Sequence, residues 1–143
     1  MTAYTGRCAC GQVTLAMAGE PVLTRQCWCR QCRQVAGGGP ANNAALRTED
    51  VAIAGQLASH AYLAASGNTL TQWFCPSCGV HLTAQSSARP HLLTVRFGAI
   101  DEPHGLKPDT AIWTDEAPEW AVIDAEMAQF PQQPPAPPPV SAD

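Results

Sequence analysis

Apolar and polar residues alternate in short runs along most of the chain, and glycine or proline separates many of these runs. A period of two residues, with β-branched residues in the runs, is typical of half-buried strands. No segment keeps a helical period for long, although residues 118–130 are compatible with a short C-terminal helix. The pattern predicts an all-β domain of short antiparallel strands over residues 12–18, 51–55, 60–64, 69–74, 80–84, 91–97 and 111–114.

The proline content rises sharply after residue 130. Proline at this density disfavours helices and sheet ladders and favours an extended polyproline conformation. We therefore predict one domain over residues 1–130 and a disordered, proline-rich tail over residues 131–143. The tail could instead be a ligand for a proline-recognising partner, but motifs of this kind have low specificity.

The composition fits a single domain with its own core, because the chain has 143 residues of which 45% are hydrophobic. A net charge of −4 and a pI near 5.4 argue against general binding to nucleic acid or to an anionic membrane. No apolar run is long enough to span a bilayer, and the first residues do not resemble a signal peptide. We therefore expect a cytoplasmic protein without nucleic-acid or membrane partners, whose oligomeric state the sequence leaves open.

Candidate chemistry is concentrated in the cysteines. In a reducing compartment, clustered cysteines favour metal binding or redox chemistry over structural disulfides. An odd number of cysteines also cannot pair completely within one chain. The seven cysteines form three groups, which are Cys8 and Cys10, then Cys27, Cys29 and Cys32, then Cys75 and Cys78.

The first and third groups together offer the four ligands that a structural zinc site requires. Cys75 and Cys78 form a Cys-x-x-Cys turn, and the glycine that follows can adopt positive φ without steric cost. Cys8 and Cys10 point to the same face if their segment is extended. A single Cys-x-x-Cys pair is a weak signal because redox motifs share it, but the second pair makes a four-cysteine zinc site the prediction.

The central group is predicted to hold a second zinc. Cys27, Cys29 and Cys32 lie within six residues, close enough to converge on one ion. Three protein ligands leave the fourth tetrahedral position for water or substrate, as in catalytic zinc sites. Two alternatives are three reduced thiols without metal, or a disulfide between two of them.

The sequence resembles the glutathione-dependent formaldehyde-activating enzyme family, also called the CENP-V/GFA domain family, from about residue 4 to about residue 120. The resemblance lies in motifs that occur in the family's order. They are GRCACGQV at residues 6–13, GEP at 19–21, CWCRQCR at 27–33, FCPSCG at 74–79, GAID at 98–101 and IW at 112–113.

The resemblance implies an all-β fold of the Mss4-like, or β-tent, type with two zinc ions per chain. It also implies a carbon–sulfur lyase reaction, in which glutathione and formaldehyde form S-hydroxymethylglutathione. Two departures lie beside the open site. Trp28 replaces the family's usual histidine, and the glycine-rich residues 34–40 replace a segment that more often has serine and glycine followed by apolar residues. They put the substrate in doubt, but not the fold.

Glutathione carries two carboxylates, so its site should offer cations. Arg30 and Arg33 flank the central cysteines and are the first candidates, with Arg25 next. The alternative for all three is a solvated surface position.

Other side chains are weaker candidates for chemistry. His81 could act as a base or a metal ligand, although a strand position facing solvent or a hydrogen bond is the simpler interpretation. Asp101 and His104 lie in a turn, where Asp usually bonds its own backbone. The core or a pocket wall is expected for the remaining aromatic candidates, Trp73, Trp113 and Trp120.

Two other functions are compatible with these residues. A non-catalytic zinc module for protein interaction needs the structural zinc and no open ligand position. A thiol redox enzyme would use Cys29 or Cys32 directly.

Overall fold

The computed structural model describes residues 2–135, and within them the chain forms strands with one short α-helix, which confirms the all-β class. No helix in this part of the chain is long and apolar enough to cross a membrane. The elements are β1 (Tyr4–Arg7), β2 (Thr14–Met17), β3 (Leu23–Cys27), α1 (Arg30–Val35), β4 (Ala41–Arg47), β5 (Val51–Ala54), β6 (Ala58–Leu63), β7 (Thr69–Phe74), β8 (His81–Ser86), β9 (Leu92–Arg96), β10 (Thr110–Ile112) and β11 (Ala128–Gln129).

The strands form two sheets. The small sheet has the order β1-β2-β5, and the large sheet has the order β11-β10-β3-β4-β9-β8-β7-β6. Most neighbours are antiparallel, as predicted, but β10 lies parallel to both β3 and β11. Parallel neighbours need a long crossover connection. The whole segment between β3 and β10 supplies that connection. The alternation of apolar residues within a strand does not depend on the direction of its neighbour, so it could not predict this parallel pair.

The core lies between the small sheet and the middle of the large sheet. Met17 of β2, Leu46 of β4, Leu82 of β8 and Val95 of β9 are each at most 1% exposed and belong to one packed cluster. Burying side chains of this size stabilises the fold by about 1.5–3 kcal/mol each. The opposite face of the large sheet is not covered by the small sheet, and its central strands line a cavity.

Four strands, β1, β3, β4 and β11, and the helix α1 were not predicted. The strand β4 has the sequence ANNAALR, in which alanine and asparagine disfavour strands. It is extended because it pairs with β3 on one side and with β9 on the other. Tertiary pairing therefore overrides local propensity here.

The predicted C-terminal helix over residues 118–130 is wrong. This segment forms turns and then the short strand β11, which pairs with β10. The side chain of Asp124 accepts a hydrogen bond of 2.9 Å from the amide of Glu126, a local contact that competes with helical hydrogen bonding.

The chain stays in contact with the large sheet beyond the predicted boundary at residue 130. The carbonyls of Phe130 and Pro131 accept hydrogen bonds from the amides of Thr114 and Asp115, each at 3.2 Å. The indole Nε1 of Trp113 donates to Gln133 at 3.2 Å. The part of the predicted tail over residues 136–143 lies outside the described residues, so its disorder stays a prediction.

Candidate metal centres and the adjoining cavity

The first and third cysteine groups come together as one cluster between the two sheets. The sulfur of Cys10 lies 3.6 Å from that of Cys8 and 3.7 Å from that of Cys75. With Cys78, all four sulfurs lie within 4.8 Å of one another. A tetrahedral ion bound at about 2.3 Å separates its sulfur ligands by about 3.8 Å. The cluster therefore has the size that a tetrahedral metal ion needs.

Two glycine turns shape this cluster. Gly11 has φ of 78° and Gly79 has φ of 77°, values that side chains rarely tolerate. The turns direct backbone amides toward sulfur, and Val13 donates to Cys8 at 3.4 Å. Amides from Val80 and Cys10 lower the pKa of the Cys78 thiol to about 6. Amide donors stabilise thiolate, which is the form that binds a metal.

The four-cysteine cluster joins distant parts of the chain. Cys8 and Cys10 follow β1 of the small sheet, whereas Cys75 and Cys78 follow β7 of the large sheet. Cys8 is 1% exposed and Cys75 is fully buried, and both belong to the core cluster. A metal ion held here would link the two sheets, which is a structural role.

The central group also converges. Cys27 is the last residue of β3, Cys29 is the N-cap of α1, and Cys32 lies within that helix. Their three sulfurs lie within 4.8 Å of one another. The sulfur of Cys29 accepts a hydrogen bond from the amide of Cys32 at 3.4 Å, as N-cap side chains do. The strand-to-helix turn therefore provides three ligands from one short segment.

The three central thiols do not ionise alike in the absence of a cation. Hydrogen bonds from Cys27 and Cys32 lower the pKa of the Cys29 thiol to about 3. The same contacts, followed by burial, raise the pKa of Cys27. A metal ion would stabilise all three as thiolates, because the cation compensates for their mutual repulsion. The donor set fits a metal site with one open position.

A cavity of about 160 Å³ lies beside Cys27 and Cys32 on the uncovered face of the large sheet. Strand periodicity explains its lining. Arg25 and Cys27 of β3 and Thr94 and Arg96 of β9 face the cavity, whereas Val95 faces the core. The cavity contains three guanidinium groups, from Arg25, Arg89 and Arg96, and its lining includes no Asp or Glu among the described residues.

Arg30 and Arg33 are not part of the described cavity lining. Arg30 is exposed, and its amide donates to Glu116 at 3.1 Å. The guanidinium of Arg33 donates to the carbonyl of Trp28 at 3.0 Å, which holds the ligand turn. Contacts from these two arginines to glutathione stay a prediction, while Arg25 does face the cavity.

Sequence reasoning missed Arg89 and Arg96. The signal for Arg96 was its place in the predicted strand 91–97, on the face opposite Val95. A charged residue at an inward position of a buried strand is unusual and is often functional.

A second cavity of about 500 Å³ shares Tyr62 and Gln72 with the first and includes His81. The His81 ring stacks on Phe74 with centroids 5.2 Å apart. Its Nδ1 is buried and has no hydrogen-bond partner within residues 2–135. Burial, and then the charge of Arg96, lower the pKa of His81, so the imidazole is neutral at neutral pH. His81 belongs to neither group of candidate metal ligands.

The turn residues have structural contacts. Asp101 accepts hydrogen bonds from the Thr5 hydroxyl at 2.7 Å and from Arg7 at 3.3 Å, instead of bonding its own backbone as predicted. His104 accepts a bond from the amide of Leu106 at 3.0 Å. Both side chains therefore hold loops, and neither belongs to a group of candidate metal ligands.

The tryptophans differ in their surroundings. Trp28 is 2% exposed, and its indole donates to Gln26 at 3.0 Å, so it does not line either cavity. Trp73 is half-buried in β7. Trp113 binds Gln133, which itself lines the first cavity. Trp120 is 67% exposed, so its predicted place in the core or a pocket wall is wrong.

Comparison with known proteins identifies a family. The model of the glutathione-dependent formaldehyde-activating enzyme family matches residues 3–116. A solved structure of a Rhodobacter sphaeroides protein has 21% identity and a TM-score of 0.57, covering 88% of this chain and 98% of its own. At that identity the likeness shows the fold. No curated protein matches the chain by direct sequence comparison.

Proposed function

The chain belongs to the glutathione-dependent formaldehyde-activating enzyme family, and on this premise we propose that it is a zinc-dependent carbon–sulfur lyase. Its substrates would be glutathione, or another small thiol, and an aldehyde such as formaldehyde. The observation that carries the proposal is the three-cysteine group beside a cavity that presents three arginines. A cytoplasmic location, where glutathione is available, is part of the proposal.

Zinc is the metal that suits these ligands best. Four thiolates at this spacing are typical of structural zinc, whereas three protein ligands that leave a fourth position open are typical of catalytic zinc. Cys8, Cys10, Cys75 and Cys78 would hold the structural ion, and Cys27, Cys29 and Cys32 the second. The second ion, when bound, would favour the thiolate form of a thiol at its open position and would polarise a carbonyl.

The chain's own residues orient the two substrates. Arginines of the first cavity offer donors for the carboxylates of a thiol such as glutathione. The neutral imidazole of His81 lines the second cavity, where it offers a polar group beside an aldehyde. In the reaction a sulfur–carbon bond forms and the carbonyl oxygen receives the proton that the thiol lost. The addition therefore balances without an oxidant.

Metal content is the first test. Protein produced in zinc-replete medium is expected to contain more than one zinc per chain by elemental analysis, because both groups have the spacing for one ion. A chelator is expected to remove the three-cysteine zinc first, since only one short segment holds it. A value near zero zinc would contradict the proposal as a whole.

Ligand binding tests the open site directly. Calorimetric titration of zinc-loaded protein is expected to show much tighter binding of glutathione than of S-methylglutathione, which cannot form a thiolate. The difference should disappear when a chelator has removed the more labile zinc. Equal affinity for the two ligands, or binding that survives loss of this zinc, would contradict thiol coordination. Thiol–aldehyde turnover that survives zinc removal would favour the redox alternative.

A further inference from the structure

We propose that Arg96, with Arg25 and Arg89, forms a carboxylate-binding site in the cavity beside the central cysteines. The ligand it selects is a small carboxylate-bearing thiol or aldehyde. This inference deepens the proposed function and rests on it for the zinc, whereas the anion site itself depends on arginines alone. None of the three arginines belongs to the motifs that carry the family resemblance.

Arg96 is the centre of this site because its charge is buried and incompletely paired. The residue is 8% exposed, and its Nη1 donates to Asn43 on the neighbouring strand at 2.9 Å. Its Nε is buried and has no hydrogen-bond partner in the described part of the chain. Burying a charged donor without a partner is costly, so such a group usually awaits a ligand or has one.

Arg25 and Arg89 add to this excess of positive charge. Both side chains are half-buried and line the same cavity as Arg96. The ion pairs within residues 2–135 involve Arg7 and Arg47 and none of the cavity arginines. Three guanidiniums therefore share one cavity, and none of them forms an ion pair within the described part of the chain.

Asp109 and Cys27 are the negative groups that act on Arg25, but Asp109 is exposed to solvent and a bound zinc would leave the central thiolates with little charge. Three thiolates and one divalent cation keep a net charge of about −1. Three guanidiniums then leave an excess of about two positive charges in one small space. An anionic ligand would complete this balance, whereas a neutral ligand of the same size would not.

The size of the cavity limits what enters it. A water molecule occupies about 30 Å³ in the liquid, so 160 Å³ holds on the order of five waters. Pockets for drug-sized ligands begin at about 300 Å³. The enclosed space therefore suits a small carboxylate, or one carboxylate end of glutathione. The remainder of a tripeptide would extend past Tyr62 and Gln72 toward the second cavity.

Matched ligand pairs test the charge requirement. We would titrate zinc-loaded protein with mercaptoacetate and with mercaptoacetamide, which have similar shapes and the same thiol. The amide has the more acidic thiol, so thiolate coordination alone predicts that it binds better. The carboxylate site predicts the opposite, with mercaptoacetate binding about tenfold tighter or more.

Variants assign this preference to residues. In Arg96→Met and Arg25→Gln the preference for mercaptoacetate is expected to disappear, while the affinity for mercaptoacetamide stays nearly constant. Lys107→Gln removes one positive charge from an exposed position and is the matched control that should keep the preference. If Arg96→Met fails to fold, Arg25→Gln and Arg89→Gln still test the site, because both side chains are only half-buried.

Sulfur-free ligands separate this inference from the proposed function. Glycolate is expected to bind more tightly than glycolamide in wild type, and that preference should be lost in the arginine variants even if no thiol binds the zinc. In turnover, glyoxylate against glycolaldehyde shows whether the carboxylate belongs to the aldehyde, and the two thiols show whether it belongs to the thiol. Equal binding of the acid and the amide in wild type, or a preference that survives in all three arginine variants, would overturn the proposal.

Discussion

Cys75→Ser is expected to lower the melting temperature by more than about 10 °C, while Cys32→Ser lowers it only slightly. The reason is the position of the two sulfurs. Cys75 is fully buried in the core and joins the small sheet to the large one through a cluster whose members are 65 positions apart. Cys32 lies in a short helix, and its metal partners belong to the same segment.

The magnitudes support a large difference. Structural zinc contributes about 10–16 kcal/mol of apparent binding energy in small zinc domains, which is comparable to the whole stability of a typical domain of about 5–15 kcal/mol. A domain of this size loses roughly 3 °C per kcal/mol, so a loss of only 4 kcal/mol exceeds 10 °C. A metal that closes a long loop also restricts the unfolded chain more than one that closes a short loop.

Thermal melts of wild type and both variants, each with measured zinc content, check this prediction. Serine is the matched replacement because it keeps nearly the same shape and removes only the sulfur ligand. If the two variants lose the same stability, the assignment of one structural and one exchangeable site is incorrect.

Cys29→Ser is expected to reduce thiol–aldehyde turnover by more than about 100-fold and to leave the fold intact. Loss of residues that only support metal ligands already costs about 10–100-fold, so loss of a ligand itself should cost at least as much. Serine is among the best N-cap residues. The variant should therefore retain the hydrogen bond that now runs from the Cys32 amide to the sulfur at 3.4 Å and that starts α1.

Cys29→Ala separates the two roles of this side chain. Alanine removes both the ligand and the cap, which typically costs about 1 kcal/mol of stability. If the loss of turnover comes from the metal, serine and alanine variants are equally inactive while only alanine melts earlier. Turnover that persists in Cys29→Ser with a normal melting curve would exclude Cys29 as a zinc ligand in the reaction.

Local spacing was enough to predict the turns that hold neighbouring cysteines, whereas the pairing of Cys8 and Cys10 with Cys75 and Cys78 was predicted from the four ligands that structural zinc requires. Cys75 and Cys78, like Cys27 and Cys29, are separated by so few residues that almost any turn brings their sulfurs together. Gly11 and Gly79 indicated these turns in the sequence, because glycine adopts positive φ without steric cost. The two-residue period of apolar positions predicted most of the strands, because it depends only on which side of each strand is buried.

The sequence by itself therefore determined the all-β class and the two groups of candidate ligands. Only the tertiary structure decided what lies beside the second group. Arg25, Arg89 and Arg96 come from β3, from the turn between β8 and β9, and from β9, and they meet because β4 places β3 and β9 on one sheet. That meeting depends on strand order and register, which are set by pairing between distant segments. Arg30 and Arg33 are nearer to the cysteines in sequence, yet they lie outside the described cavity lining, because the ligand turn directs them elsewhere.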